Sequence, residues 1–88
     1  MKWRHFKRGA YREALAHIYA GGIAIHDTGM KRNGKETAHL LADGTLLFKA
    51  AADLGLSEKY LQMTPRPHFD LFGWPLTHAL ARCELMSE

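Results

Sequence analysis

Hydrophobic periodicity changes abruptly at Gly21-Gly22. Upstream, Tyr11, Ala14, Leu15, Ile18 and Tyr19 recur at i, i+3, i+4, i+7 and i+8, which makes one apolar stripe on an α-helix. Arg12, Glu13, Ala16 and His17 fall opposite the stripe. Downstream, Gly22-Ile23-Ala24-Ile25-His26 is a β-branched run that reads as a short buried strand. The glycine pair between them is the expected helix stop. A helical stripe followed at once by a strand, in a chain of 88 residues, calls for one domain in which helix and sheet cover each other. The fold class is therefore α/β: a small two-layer domain with a short sheet and three to four helices packed on it.

The rest of the chain fits that frame. Residues 1–8 form a basic N-terminal segment with Trp3 and Phe6 interleaved, either a flexible arm or a strand in which Trp3 packs. The first helix is expected within 9–21. Residues 27–35 read as a loop or hairpin tip whose Asn33-Gly34 pair suits a type I′ turn, with the partner strand at 37–41. Leu46, Leu47, Ala50, Ala51 and Leu54 repeat at helical spacing, so a second helix spans about 45–54, capped by Asp43 or Thr45 and ended by Gly55. Ser57 caps a short helical turn. Pro65 and Pro67 exclude a regular helix from 63–72 and predict an extended segment that delivers His68 and Asp70. Pro75 suits the first residue of a last helix, 75–83, with Leu76, Ala79, Leu80 and Cys83 on one face.

Charge narrows the partners. Residues 1–35 carry eight basic groups against Glu13 and Asp27, a net of +6, whereas residues 36–88 carry four basic and seven acidic groups, a net of −3. A basic first third steers phosphate-bearing partners, nucleic acid among them, without reading sequence; a solvated basic surface that binds nothing is the competing reading. No apolar run approaches the roughly 18 residues of a membrane span, and Arg12, Glu13 and His17 interrupt what would be the core of a signal peptide. One cysteine, Cys83, leaves no intrachain disulfide and suits a cytoplasmic setting. A chain this short buries a modest share of its surface, which favours a homodimer.

Histidine and carboxylate recur at tight spacing in two places, His39-Leu40-Leu41-Ala42-Asp43 and His68-Phe69-Asp70. A separation of two shares a strand face, and a separation of four shares a face of a strand or a helix. If the fold joins the clusters, His39, Asp43, His68 and Asp70 form one site, with Asp27 as a fifth candidate. Such a set suits general-base catalysis on a phosphoester or glycosidic substrate, or a divalent metal that activates water. Lys31, Arg32 and Lys35 would attract the anion. Each residue also has a structural reading: Asp43 as a helix cap, Asp70 holding the turn before Gly73, His68 bonded to backbone, His39 as a satisfied strand histidine. His5, His17, His26 and His78 lack a partner at tight spacing and read as surface or structural. Cys83 belongs to the apolar face of its helix rather than to a nucleophile, and neither a nucleophile elbow nor a glycine-rich phosphate loop is present. Trp3 and Phe6 would suit stacking on single-stranded nucleic acid, and Phe69, Phe72 and Trp74 would suit a ring pocket; core or dimer packing is the alternative for both groups.

The order of these motifs resembles a small bacterial and phage family catalogued as a domain of unknown function, number 4031. The resemblance covers about residues 22–83 and is most specific at His39 to Asp43 and at Pro67-His68-Phe69-Asp70. It implies a short domain and marks the same residues, but no reaction. Two departures stand out. The family's middle helix commonly carries Glu-Leu-His near its start, where this chain reads Leu46-Leu47-Phe48, and residues 1–20 have no counterpart. The first helix is then specific to this chain, a candidate oligomerisation or partner-binding element. The sequence thus supports a domain that binds or hydrolyses a phosphate-bearing small molecule or nucleic-acid end. A non-enzymatic nucleic-acid accessory protein and a protein-interaction module are the alternatives.

Overall fold

The structure, a computed structural model, describes residues 2–85. Five strands form one mixed sheet in the order β1-β2-β3-β5-β4. Strand β1 (Trp3–Phe6) runs parallel to β2 (Ile23–Arg32), with α1 (Tyr11–Tyr19) as the crossover between them. The pairings of β2 with β3 (Lys35–Leu41), β3 with β5 (His68–Leu71) and β5 with β4 (Leu61–Gln62) are antiparallel. Helix α2 (Thr45–Asp53), a single 3₁₀ turn (Glu58–Tyr60) and α3 (Gly73–Leu85) complete the order. The small α/β domain expected from the sequence is what the chain forms.

Strand alternation divides the core in two. Trp3, Ile23, Ile25, Ala38, Leu40, Phe69 and Leu71 point to one face and are buried with Leu47, Ala50, Ala51 and Leu54 of α2 and Leu76, Ala79 and Cys83 of α3. Phe6, Ala24 and Leu41 point to the other face, beneath Ala14 and Ile18 of α1. Helices therefore flank both faces. The nine-residue α1 is the only helix in this second cluster among the described residues, and it covers the β1–β2 side and the Leu41 end of β3. Of the α1 stripe, Ala14 and Ile18 are buried, while Tyr11 and Tyr19 stay exposed and make polar or ring contacts.

Local chemistry explains the boundaries. Helix α1 stops as expected: Gly21, at φ 93°, lets Gly22 N donate to His17 O at 3.0 Å, closing the last turn. Asn33 and Gly34 both adopt positive φ, 52° and 77°, and make the two-residue hairpin between β2 and β3. The strand continues further than the sequence suggests, because residues 27–32 are strand rather than loop. A bulge between Asp27 and Lys31 breaks the register and masks the alternation on which a strand assignment rests. Thr28 Oγ1 fastens the bulge, accepting from Met30 N at 3.0 Å and meeting Thr37 Oγ1 across the pair.

Of the two readings of the N-terminal segment, the strand in which Trp3 packs is the one the chain adopts: residues 3–6 are the edge strand β1, with Trp3 and Phe6 buried on opposite faces, so neither ring is open to stack on a nucleobase. The expected cap of α2 is corrected. The cap of α2 is Gly44, at φ 54°, with no side-chain bond from Asp43 or Thr45. Asp43 contributes only its carbonyl, which accepts from Leu46 N at 3.1 Å. Ser57, by contrast, accepts from Lys59 N as a cap should.

Candidate functional site

Register builds the site. His26 lies opposite His39, and His39 lies opposite Asp70, so one row crosses β2, β3 and β5 on the α1 side of the sheet. His68, two residues before Asp70, shares that face. His39 Nε2 stands 3.2 Å from Asp70 Oδ1 and His68 Nε2 stands 3.5 Å from the same oxygen. The two imidazoles also lie against each other, with centroids 4.1 Å apart. One ligand-type atom from each of His39, His68 and Asp70 falls within 4.8 Å of the others, a set able to hold a metal ion.

The three side chains differ in setting. His68 is buried, and its Nδ1 donates to the Arg66 carbonyl at 2.7 Å, since a carbonyl oxygen can only accept. That bond fixes the ring and is the backbone contact foreseen for a histidine in this proline-rich segment. Arg66 is itself tied to α1: its guanidinium donates to Tyr19 Oη at 2.6 Å and lies over the Tyr19 ring. The exposed end of the α1 stripe thus anchors the segment that sets His68. Burial first, then the neighbouring His68, and to a smaller extent His26, hold His39 below the ordinary histidine range, against the upward pull of Asp70. His39 therefore favours the neutral imidazole, which can accept a proton or ligate a metal.

Not every expected residue joins. Asp43 lies past the end of β3, where the chain turns into α2, so the four-residue spacing from His39 never becomes a shared face. It lines a separate groove with Phe48, Met63 and Arg66. Asp27 pairs with Ala38, one step out of phase with the histidine row, and its carboxylate accepts from His5 Nε2 at 2.8 Å. Asp70 faces the two histidines rather than the turn before Gly73.

Lys31 and Arg32 do reach the site. They line a groove of about 270 Å³ together with His39, Asp70, Thr28, Thr37, Met30 and Phe72. Arg32 lies over the Phe72 ring, 4.6 Å from its centroid. Lys35 turns away and borders a different depression with Gly73 and Trp74. A second groove, about 360 Å³, shares Arg32, Asp70 and Phe72 and extends to Tyr60, Leu56, Gln62 and Pro75. Of the proposed aromatic pocket, Phe69 is wholly buried among α2 and α3, Trp74 is exposed against His78, and only Phe72 borders the site.

Sequence reasoning missed His26. Its Nε2 donates to the Arg8 carbonyl at 2.9 Å and its ring packs on Tyr11, so its own role is structural as expected, yet it stands beside His39 and depresses its basicity. The signal was present: Ile23 and Ile25 alternate with Ala24 and His26, which puts His26 on the face opposite the main core. Thr28 and Thr37 were missed because the bulge that joins them has no reliable sequence mark. Compared with known proteins, the chain matches no family model, no curated protein and no solved structure.

Proposed function

We propose that the groove over His39, His68 and Asp70 binds, and hydrolyses, a phosphate-bearing small molecule or nucleic-acid end. The observation that carries this reading is the sharing of one groove by His39, Asp70 and the cations Lys31 and Arg32, with the buried His68 in contact with both His39 and Asp70. The cations offset charge on the phosphoryl oxygens, and neutral His39 takes the proton from the attacking water. The new bond joins that water oxygen to phosphorus, the ester P–O bond breaks, and the leaving oxygen is reprotonated. Kinship with the family of unknown function belongs to the same reading and rests on the sequence motifs at His39 to Asp43 and at Pro67-His68-Phe69-Asp70. A cytoplasmic homodimer is the setting we infer, on the strength of a single buried cysteine and a short chain.

The test is turnover of bis(p-nitrophenyl) phosphate and p-nitrophenyl phosphate by the purified protein. We expect hydrolysis that falls about 100-fold or more in His39→Gln. Absence of turnover, together with no binding of inorganic phosphate, rules the reading out. The alternative, non-enzymatic nucleic-acid binding, is favoured by the exposed Lys2, Arg4, Lys7 and Arg8 around β1. It predicts oligonucleotide binding that weakens steeply between about 50 and 200 mM salt and survives His68→Ala.

A further inference from the structure

We propose that His39, His68 and Asp70 are a binding site for one divalent transition-metal ion, held by two imidazole nitrogens and one carboxylate oxygen with a remaining position open to the groove. This rests on the reading above and deepens it by naming the ion at the same site; with the ion bound, His39 Nε2 would be a ligand and the ion, in place of His39, would supply the activated water.

The hydrogen bond at His68 Nδ1 decides what Nε2 can do. Its Nδ1 proton is committed to the Arg66 carbonyl, so the neutral ring carries no proton on Nε2. That bare lone pair faces the Asp70 carboxylate at 3.5 Å. Two acceptors held face to face by a buried ring are bridged either by a proton on Nε2 or by a metal ion, and Asp70 Oδ1 and His39 Nε2 are placed to complete the set for an ion. A backbone carbonyl on Nδ1 is also the arrangement that orients a metal-ligating histidine and raises its basicity.

Ligands at about 2.0–2.1 Å from a tetrahedral ion lie roughly 3.3 Å from one another. The 3.2 Å and 3.5 Å separations from Asp70 Oδ1 bracket that edge, and all three ligand atoms lie within 4.8 Å, so the two imidazoles close on the ion by a small ring movement. His39 Nε2, 3.2 Å from the same carboxylate oxygen, supplies the third ligand. Burial is graded in the way an open site requires: His68 is buried, while His39 and Asp70 are 32% and 43% exposed and line the groove. Two imidazoles and one carboxylate suit Zn²⁺, Co²⁺, Fe²⁺ or Mn²⁺ better than Ca²⁺ or Mg²⁺, which prefer oxygen throughout.

The experiment uses the tag-free, metal-stripped 88-residue chain titrated with Zn²⁺ by calorimetry and thermal unfolding, and with Co²⁺ by visible absorption. One equivalent of Zn²⁺ is expected to bind, raising the unfolding midpoint by on the order of 10 °C at about 100 times Kd. Co²⁺ is expected to give the absorption of a nitrogen- and oxygen-ligated ion. Asp70→Asn, partly exposed and close in shape, should lose affinity at least 10-fold while remaining folded by circular dichroism. His5→Gln, which removes the other His–Asp contact, should bind as the wild type does. No binding by wild type overturns the proposal and leaves His68 as an imidazolium paired with Asp70. Equal affinity in Asp70→Asn, or loss in His5→Gln, overturns it as well. Metal binding with neither phosphoester turnover nor binding of inorganic phosphate leaves this site standing and removes the function proposed above; turnover that persists with no bound metal does the reverse.

Discussion

His39 and Asp70 are direct cross-strand partners on β3 and β5, with Nε2 and Oδ1 3.2 Å apart. Both are partly open to solvent, which screens their attraction, so the contact is worth less than about 1 kcal/mol to folding. Asp70→Asn keeps the side-chain shape and should shift urea-unfolding stability by less than that amount. The same change should remove metal binding and phosphoester turnover. A stability loss of several kcal/mol would instead make Asp70 a structural residue.

Phe69 stands between His68 and Asp70 in sequence but points to the opposite face, where it is fully buried and meets Phe48 edge-on at 6.4 Å. It holds β5 to the sheet and thereby fixes the spacing of the two site residues. Phe69→Ala removes a large ring from a closed core and should cost about 3–5 kcal/mol in denaturant unfolding. Against a total of roughly 5–15 kcal/mol for a domain of ordinary stability, that leaves a thin margin. A cost below about 1 kcal/mol would mean that β5 is held by its backbone pairing instead.

The elements that a repeating pattern specifies were legible in the sequence: the stripe of α1, the Leu/Ala repeat of α2, the Asn33-Gly34 turn and the apolar face of α3. The site was legible in part, because His68 and Asp70 share a strand face by spacing alone. Their meeting with His39 depends on the pairing of β3 with β5, some thirty positions apart in sequence, and register across that distance has no local signature. Asp43 failed for a related reason. A spacing of four means a shared face only if one element spans it, and β3 ends at Leu41. The bulge after Asp27 hid both the length of β2 and the threonine pair beside the groove.

Gly34 adopts φ 77° at the hairpin tip, and a Cβ there would meet no atom within 4 Å. The whole effect of Gly34→Ala is therefore backbone strain, about 1–2 kcal/mol. Gly9 offers the control: it too has open space around it but does not take positive φ. Gly9→Ala should be neutral or stabilising by about 0.4–1 kcal/mol, through a less flexible unfolded chain. Thermal unfolding of the two variants separates strain from steric conflict, and equal destabilisation by both would discard the type I′ assignment.

Cys83 is buried on α3, and burial, with a smaller effect from Glu84, pushes its thiol up from 9.0 to about 11. The folded protein keeps the proton that the unfolded chain releases first. Stability from this residue is thus fully present below pH 9 and declines as pH rises toward about 11, because the unfolded state then binds fewer protons than the native one. Denaturant midpoints measured from pH 8 to pH 11 should fall more steeply in the wild type than in Cys83→Ala, where no thiol titrates. Iodoacetamide should label the native thiol slowly at pH 8 and rapidly only after unfolding. Parallel pH profiles for the two proteins, or fast native labelling, would place Cys83 at the surface and contradict the packing of α3 on the sheet.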